Sequence, residues 1–393
     1  MRILGTPEFR LCCLALHDPK DLRAVGLLRS AIAARPDWNR VLRAARRHRI
    51  ASVLLSNLKA SASPHVPSDV MSDLRQQAST AAQQSLAQIA ELRRLSRHFT
   101  RAGLHVLVLK GVVLSAQLFG NPALRYPRDI DLLVDPAEFA TAEELLLKCG
   151  YRRIGPTLLP RQRTVYQRWI KETAYLNAQT GTLVELHHRF SDNPALIRCE
   201  FFKLWEDRDQ IEVAGAIFAG LPRGQLPIYL CAHGASHCWA ELRWLVDFAA
   251  SVREAGAIDR AVEMAEVASF GPPMLHAVML AHDWLGLPVD EHFLTRARTD
   301  RRVIRLHRIL SRFYSGDVLD QSQRTAWLNF RRYSLWLRLY RYFLKTEWRY
   351  LKYQALREFI SPADWDTVRL PDSLFWLFPL VRPIGWLVRR WRH

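Results

Sequence analysis

Three acidic residues carry the strongest chemical signal in this sequence. Asp129 and Asp131 flank Ile130 in RDIDLLVDP, a segment whose alternation predicts a β-strand with both acids on one face. Two carboxylates held so close need a cation to neutralise them. Glu185, in LVELHH, lies on a second predicted strand, and His187 shares its face, either lining the site or making a structural hydrogen bond. Three carboxylates can hold two Mg²⁺ ions, with Mn²⁺ as a substitute.

Candidate phosphate ligands precede the acid pair. Lys110 and Gly111 end the apolar run LHVLVLKG, which predicts a buried strand, and open the predicted helix VVLSAQLF. A cation, a close backbone approach and a helix N-terminus therefore occur together. Ser115 in that helix, and Arg125 and Arg128 just before the acids, are further candidates for phosphate contacts. Two bound metals and this cradle suit a triphosphate, because the metals activate an attacking hydroxyl and stabilise the leaving pyrophosphate.

A cluster of cysteines and histidines occurs later in the chain. Cys231, His233, His237 and Cys238 have the side-chain types that bind zinc. On a helix His233 aligns with His237, but Cys238 is rotated by roughly 100° from them. A second ligand pair with zinc-finger spacing is missing, so the sequence does not favour zinc.

The pattern of apolar residues divides the chain into four regions. Helical spacing fills 1–100, whereas strand-like runs alternate with helical segments in 101–190, including a hairpin from ETAYLN through AQTG to TLVELHHRF. Residues 191–300 return to helical spacing, and 301–393 form a basic, aromatic, helical region. We predict an α+β fold in which a small mixed-sheet core is flanked by N-terminal and C-terminal helical regions.

The basic aromatic region has more than one interpretation. Between Arg324 and Arg357 there are nine Lys or Arg residues and one Glu, in what reads as a continuous helix. Its aromatic residues at helical spacing are best explained as the core face of a docked helix, with the arginines in solvent. A nucleic-acid groove or an in-plane membrane helix are the alternatives. The tail FWLFPLVRPIGWLVRRWRH, with four arginines, keeps peripheral membrane contact open as well.

Composition narrows the partners and the compartment. The 56 Lys and Arg residues exceed the 38 Asp and Glu residues, giving a formal charge of +18 that favours anionic partners. The six cysteines have no CxxC spacing, as expected of reduced thiols. The N-terminus lacks the features of a secretory signal, and the apolar stretch Leu374 to Val381 is far short of the ~20 residues that span a bilayer. These observations predict a cytoplasmic protein.

Several of these segments together resemble a known family. LKGVVLSAQLFGNPALRYPRDIDLLVDP, VELHHRF and HGASHCWAELRWLVDFA are similar to the uncharacterised bacterial nucleotidyltransferases of the polymerase-β-like superfamily. That superfamily has a strand, a glycine turn, a helix, a strand with two spaced acids, and a third acid on a later strand. Gly111, Asp129, Asp131 and Glu185 match this pattern one by one. Val112 departs from it, because a small Gly or Ser often stands there.

The resemblance implies a function and further site residues. It implies transfer of a nucleoside monophosphate from an NTP to an acceptor hydroxyl, with Asp129, Asp131 and Glu185 as catalytic metal ligands. The acceptor stays open among a small molecule, a peptide, a protein and an RNA. The resemblance also places His233, His237 and Asp247 on a helix near the active cleft. A non-catalytic protein that binds nucleotide or RNA on the same fold is the alternative function.

Overall fold

The protein combines helices on both sides of one mixed sheet, which confirms the predicted α+β class. In this computed structural model the described residues are 5–61, 65–126, 128–198, 200–315, 335–360, 362–365 and 367–391.

The N-terminal part is helical, as the periodicity predicts. Aspartates cap two of its helices: the Asp21 and Asp37 side chains accept hydrogen bonds from backbone N–H groups of the first turns that follow them. The fifth helix has 34 residues, so it is about 50 Å long and reaches from the other helices to the sheet. The five helices are α1 (Pro7–Leu14), α2 (Leu22–Ala33), α3 (Trp38–His48), α4 (Ala51–Ser61) and α5 (Ser68–Arg101).

Seven strands form a single sheet in the order β3-β4-β5-β2-β1-β7-β6. The predicted hairpin is confirmed as β4 and β5, which pair antiparallel, and β5 then pairs parallel with β2. Four helices are interspersed with these strands: α6 (Gly111–Phe119), α7 (Phe139–Lys148), α8 (Pro160–Trp169) and α9 (Phe201–Glu206). The strands are β1 (Leu107–Val108), β2 (Ile130–Leu133), β3 (Tyr151–Ile154), β4 (Glu172–Asn177), β5 (Leu183–His187), β6 (Asp209–Val213) and β7 (Ala216–Gly220).

The sheet extends past the region in which the sequence predicts strands. We expect only helices beyond about Asp192, but β6 and β7 form a hairpin there, so that expectation is wrong for these residues. Ala214 and Gly215, both with positive φ, make its tight turn. Strand β7 pairs parallel with β1, and this long-range pairing, which the local pattern does not reveal, holds the hairpin in the sheet.

The second half of the chain is otherwise helical. The continuous helix predicted across the basic aromatic region is wrong, because helical residues 335–342 (α16) and α17 are separated by residues 343–347. Residues 324–334 of that region lie outside the described part. The helices are α10 (Leu226–Ser236), α11 (Leu242–Ser251), α12 (Ala257–Val267), α13 (Gly271–Leu285), α14 (Glu291–Thr299), α15 (Arg301–Ser315), α16, α17 (Trp348–Glu358) and α18 (Phe378–Trp391).

Two large cores position the site. One packs the N-terminal helices against α10, α11, α13, α16 and α17, and includes buried Tyr340, Leu344 and Tyr350. The other packs α5, α6 and α7 against the sheet. Burial of Tyr340, Leu344 and Tyr350 agrees with the interpretation that the aromatic residues of this region form the core face of docked helices.

The cysteines are unpaired, and the helices are too short or too polar to span a bilayer, within the part of the chain that the structure describes. The five described cysteines make no disulfide, and four of them are buried. Among the described helices, none has the length and apolar character needed to cross a bilayer.

Candidate active site

Two acids and a histidine converge on neighbouring strands. Strands β2 and β5 run parallel with Asp131 opposite Glu185 and Leu133 opposite His187. Because alternate residues point to one face, Asp131, Glu185 and His187 project to the same side of the sheet. One ligand atom of each lies within 4.8 Å of the others. Asp129 precedes β2 and lines the same cleft, but it is not part of this close group.

Asp131 lies at the centre of the group and is almost completely buried. Its Oδ1 accepts from Lys110 Nζ at 2.8 Å and from His187 Nε2 at 3.1 Å. Burial alone would raise the pKa of Asp131, but Lys110 and His187 lower it well below the ordinary range. Asp131 is therefore a carboxylate at neutral pH.

A further acid, Glu172 on β4, contacts His187 on the side opposite Asp131. The register of the hairpin places Glu172 opposite His187, and its Oε2 is 3.2 Å from His187 Nδ1. This contact is close, but it lacks the alignment of a hydrogen bond. Lys171 forms an ion pair with Glu172. Burial and Lys171 act to lower the pKa of His187, yet Glu172, Asp131 and Glu185 together raise it.

Asp129 has the opposite electrostatic character to Asp131. Burial, followed by repulsion from Asp131, raises the pKa of Asp129 to about 6, although Lys110 and Arg243 act against this rise. The two neighbouring acids therefore differ in proton affinity in the metal-free protein. A cation placed between them would remove the repulsion that causes this difference.

Gly111 opens helix α6 at the edge of the same cleft. Its φ is +71°, a left-handed conformation that a side chain disfavours, so the sequence needs glycine here. A Cβ at this position would also contact the Asp129 carbonyl oxygen at 3.6 Å. The amide groups at the start of α6 are not capped by the side chain of the preceding residue, Lys110. They are available to an anion.

Three predicted site residues have contacts that hold the scaffold together. The Arg125 guanidinium pairs with Asp247 at 2.8 Å and donates to the Gly111 carbonyl oxygen at 3.2 Å. The Ser115 hydroxyl donates to the Asn121 carbonyl oxygen and accepts from the Arg125 N–H. Ser115 and Asp247 are buried and do not line the cleft, whereas Arg125 borders it. Their predicted roles toward a ligand stay predictions.

His233, His237 and Trp244 form an aromatic wall of the cleft. Their rings lie 5.0 to 5.3 Å apart, with His233 edge-on to Trp244. Burial lowers the pKa of His233 well below its ordinary value and that of His237 to about 3, so both imidazoles are neutral. Within the described residues, no three ligand atoms of Cys231, His233, His237 and Cys238 converge within 4.8 Å.

The cleft that joins these residues has a volume of about 250 Å³. It contains the predicted Lys110, Gly111, Arg125, Arg128, Asp129, Asp131, Glu185, His233 and His237. The sequence interpretation missed Glu172, which the paired hairpin pattern could have located opposite His187. It also missed residues that no local pattern reveals, because they come from other elements: Arg49, Lys171, Asp192, Glu241, Arg243, Trp244, Arg341, Tyr350, Gln354 and Arg357.

The comparison with known families agrees with this geometry. A family model described as "Uncharacterised nucleotidyltransferase" matches residues 34–286, more than half of the chain. The chain belongs to this nucleotidyltransferase family. No curated protein and no solved structure matches it.

The close group also fits a divalent metal. Two carboxylates and an imidazole are ligands that divalent cations accept, and their ligand atoms lie near enough for one ion. The group is mostly buried, so that its charges are poorly screened by water. Asp131, Glu185 and His187 could therefore bind a divalent metal.

Proposed function

We propose that this protein transfers a nucleoside monophosphate from an NTP to an acceptor hydroxyl and releases pyrophosphate. The observation that carries the proposal is the meeting of three features at one cleft: the Asp131–Glu185–His187 group, whose two acids line the cleft, the Lys110 ammonium and the start of helix α6. Membership of a nucleotidyltransferase family supports the same class of reaction.

In the proposal, Asp129, Asp131 and Glu185 hold two Mg²⁺ ions, which Mn²⁺ can replace. When bound, the metal supplies a Lewis acid that neutralises phosphate oxygens and lowers the pKa of the attacking hydroxyl. Asp131 is suited to this role, because its depressed pKa keeps it ionised. Asp129, whose pKa is about 6, loses its proton easily at neutral pH.

The remaining residues bind and orient the substrates. Lys110, Arg128 and the N–H groups at Gly111 contact the phosphates, with Arg125 and Ser115 behind them keeping Gly111 and its loop in place. Glu185 orients or deprotonates the acceptor hydroxyl. His187 holds the Asp131 carboxylate in position through Nε2 and is itself supported by Glu172.

Label transfer tests the proposal. Purified protein is incubated with each α-³²P-labelled NTP and Mg²⁺, and label is followed into the protein itself, lysate proteins, RNA and small molecules. Asp131→Asn and Glu185→Gln should abolish transfer, and His187→Gln should reduce it by about 10- to 100-fold. Glu144→Gln, an exposed acid on α7, is the matched control and should transfer normally.

The same assay separates the catalytic proposal from its alternative. A non-catalytic nucleotide- or RNA-binding protein would move no label, would bind nucleotide without Mg²⁺, and would tolerate Asp131→Asn. Label that moves only with the intact acids would also identify the acceptor class among small molecules, peptides, proteins and RNA.

We place the reaction in the cytoplasm, with peripheral membrane contact through residues 374–393. Free cysteines and the absence of a spanning helix among the described residues are compatible with that compartment. Trp376, Leu380 and Ile384 are 69%, 73% and 59% exposed, which supports a surface that meets lipid.

A further inference from the structure

The C-terminal helices form a wall of the cleft that the family match does not include. The matched segment ends at residue 286, yet α16 and α17 bring Arg341, Tyr350, Gln354 and Arg357 to the cleft that contains Asp131. The cleft of the nucleotidyltransferase core is therefore lined in part by α16 and α17, which lie outside the segment that the family model matches.

This wall is attached to the core by specific polar contacts. Arg357 pairs with Asp192 at 2.7 Å, and the Asn193 side-chain amide donates to the Tyr350 carbonyl oxygen at 3.0 Å. Lys345 donates to the carbonyl oxygens of residues 195 and 196 at 3.0 and 3.2 Å. Contacts of this kind fix the position of the α16–α17 segment relative to the cleft.

Most cations that line the cleft already have a carboxylate partner. Lys110 pairs with Asp131, Lys171 with Glu172, and Arg357 with Asp192. In the absence of a ligand, the carboxylates of these pairs neutralise the positive charges of the two lysines and of Arg357.

Arg341 differs from these cations. Its Nε donates to the Ser236 carbonyl oxygen at 2.6 Å, which orients the guanidinium, but among the described residues no carboxylate oxygen lies within 4.0 Å of it. Burial lowers its pKa, and the nearby His237 is neutral and offers no negative charge. A partly buried guanidinium without an acid is costly unless an anion joins it.

Arg341 is held by different elements from the expected triphosphate ligands. Lys110 pairs with Asp131 and directly precedes the start of α6. Arg341 lies on α16 and is oriented by the Ser236 carbonyl oxygen of α10, in the wall that the Arg357–Asp192 pair attaches to the core. This difference in position is the basis for assigning Arg341 to another part of the bound substrates than Lys110 and Gly111.

We propose that Arg341 binds an oxyanion, a carboxylate or a phosphate, carried by the acceptor substrate. The planar fork of arginine matches both groups through two parallel hydrogen bonds. The assignment to the acceptor rests on the proposed transferase function, whereas the binding of an anion by Arg341 does not. In this arrangement Arg341 selects acidic acceptors and holds their hydroxyl near Glu185.

Anion binding tests the inference directly. Binding of inorganic phosphate and of acetate is measured by calorimetry at constant ionic strength, with Mg²⁺ and a saturating mixture of the α,β-methylene analogues of the four NTPs. Wild-type protein should bind one of the two anions, and that anion identifies the acidic group. Arg341→Gln should weaken this binding about tenfold or more, and Arg341→Lys should weaken it less.

The control is Arg338→Gln on the same helix. Arg338 is about half exposed, pairs with Glu358 and does not line the cleft, so its variant should bind the anion as the wild type does. Equal binding by Arg341→Gln and wild type would overturn the inference, and so would displacement of the anion by the nucleotide analogues. If anion binding depends on Arg341 but the label assay shows no transfer, the transferase proposal fails while the anion site stands.

Discussion

Lys110 Nζ lies 2.8 Å from Asp131 Oδ1, with both side chains largely removed from solvent. The ammonium group thus neutralises the carboxylate that we propose as a metal ligand. Removing one partner of such a pair leaves a buried charge and costs about 3–5 kcal/mol. A divalent metal at the same carboxylate would supply the missing positive charge.

We therefore expect Lys110→Met to depend on metal for its stability. Without Mg²⁺ the variant should lose about 3 kcal/mol in its free energy of unfolding, and saturating Mg²⁺ should restore a large part of that loss. The measurement is urea unfolding with EDTA or Mg²⁺. Lys148→Met, an exposed lysine on α7, serves as control. An equal Mg²⁺ effect in Lys110→Met and wild type would contradict the replacement of the lost ammonium by metal, and no Mg²⁺ effect in either protein would contradict metal binding at Asp131.

The buried Arg125–Asp247 pair should matter more for stability than for nucleotide binding. The two side chains are 6% and 1% exposed, and Arg125 also donates to the Gly111 carbonyl oxygen. Arg125→Met and Asp247→Leu should each cost about 3–5 kcal/mol, because each leaves the partner buried and unpaired. The double variant should cost less than the sum, as measured by urea unfolding.

Measuring nucleotide affinity distinguishes a scaffold role of Arg125 from direct phosphate binding. If Arg125 bound phosphate instead of fixing the scaffold, Arg125→Met would weaken NTP binding while the free energy of unfolding stayed near the wild-type value. Arg128→Met is the comparison, because Arg128 is exposed at the cleft and is proposed to contact phosphate. It should show weaker NTP binding with little loss of stability.

His48 should make the protein less stable as the pH falls. The Leu242 N–H donates to His48 Nδ1 at 3.2 Å, which requires a neutral imidazole, and burial lowers the pKa of His48 from 6.5 to about 3. Between these two pH values the unfolded chain binds the extra proton and the folded one does not. Stability therefore declines from pH 6.5 down to pH 3, by up to about 1.4 kcal/mol per pH unit for this residue.

Replacing His48 by glutamine tests this linkage. Gln can still accept from the Leu242 N–H but does not titrate, so the decline in the free energy of unfolding from pH 7 to pH 4 should become shallower. Urea unfolding at each pH provides the measurement, and His65→Gln, at an exposed position, should keep the wild-type slope. An unchanged slope in His48→Gln would show that other groups cause the acid sensitivity.

Local pattern was sufficient to predict the sheet residues of the site. Alternation in RDIDLLVDP and TLVELHHRF predicts both strands and puts Glu185 and His187 on one face. It also puts Asp129 in the first strand beside Asp131, whereas β2 begins at Ile130 and Asp129 lies outside the close group. The same reasoning could not predict which polar side chains pair with one another inside the protein. Arg125 forms a buried ion pair with Asp247, which is far along the chain, and is therefore not a free cation beside the acids.

The two features that the sequence does not predict, the β6–β7 hairpin and the α16–α17 wall of the cleft, depend on long-range packing. Strand β7 is joined to the other strands of the sheet through its pairing with β1, and Arg341 lies on α16 next to Tyr340, which is buried with Tyr350 in the main core. Neither relation produces a periodic pattern in the sequence, so the local pattern predicts helices where the hairpin lies and does not reveal the cleft wall.

The surface at Trp376, Leu380 and Ile384 should bind anionic membranes. Leu380 and Ile384 lie four residues apart on α18, so their exposed side chains share one side, and the exposed Trp376 comes just before this helix. The sequence from Phe375 to His393 adds four arginines and no acid. Vesicles of phosphatidylcholine and phosphatidylglycerol at 3:1 should carry the protein in flotation, and high salt should release part of it.

Changing the three residues to serine should abolish flotation, whereas Trp348→Ser, an equally exposed tryptophan elsewhere, should not. Flotation that survives the triple change would place any membrane contact on another surface, and protein that never floats would remove it.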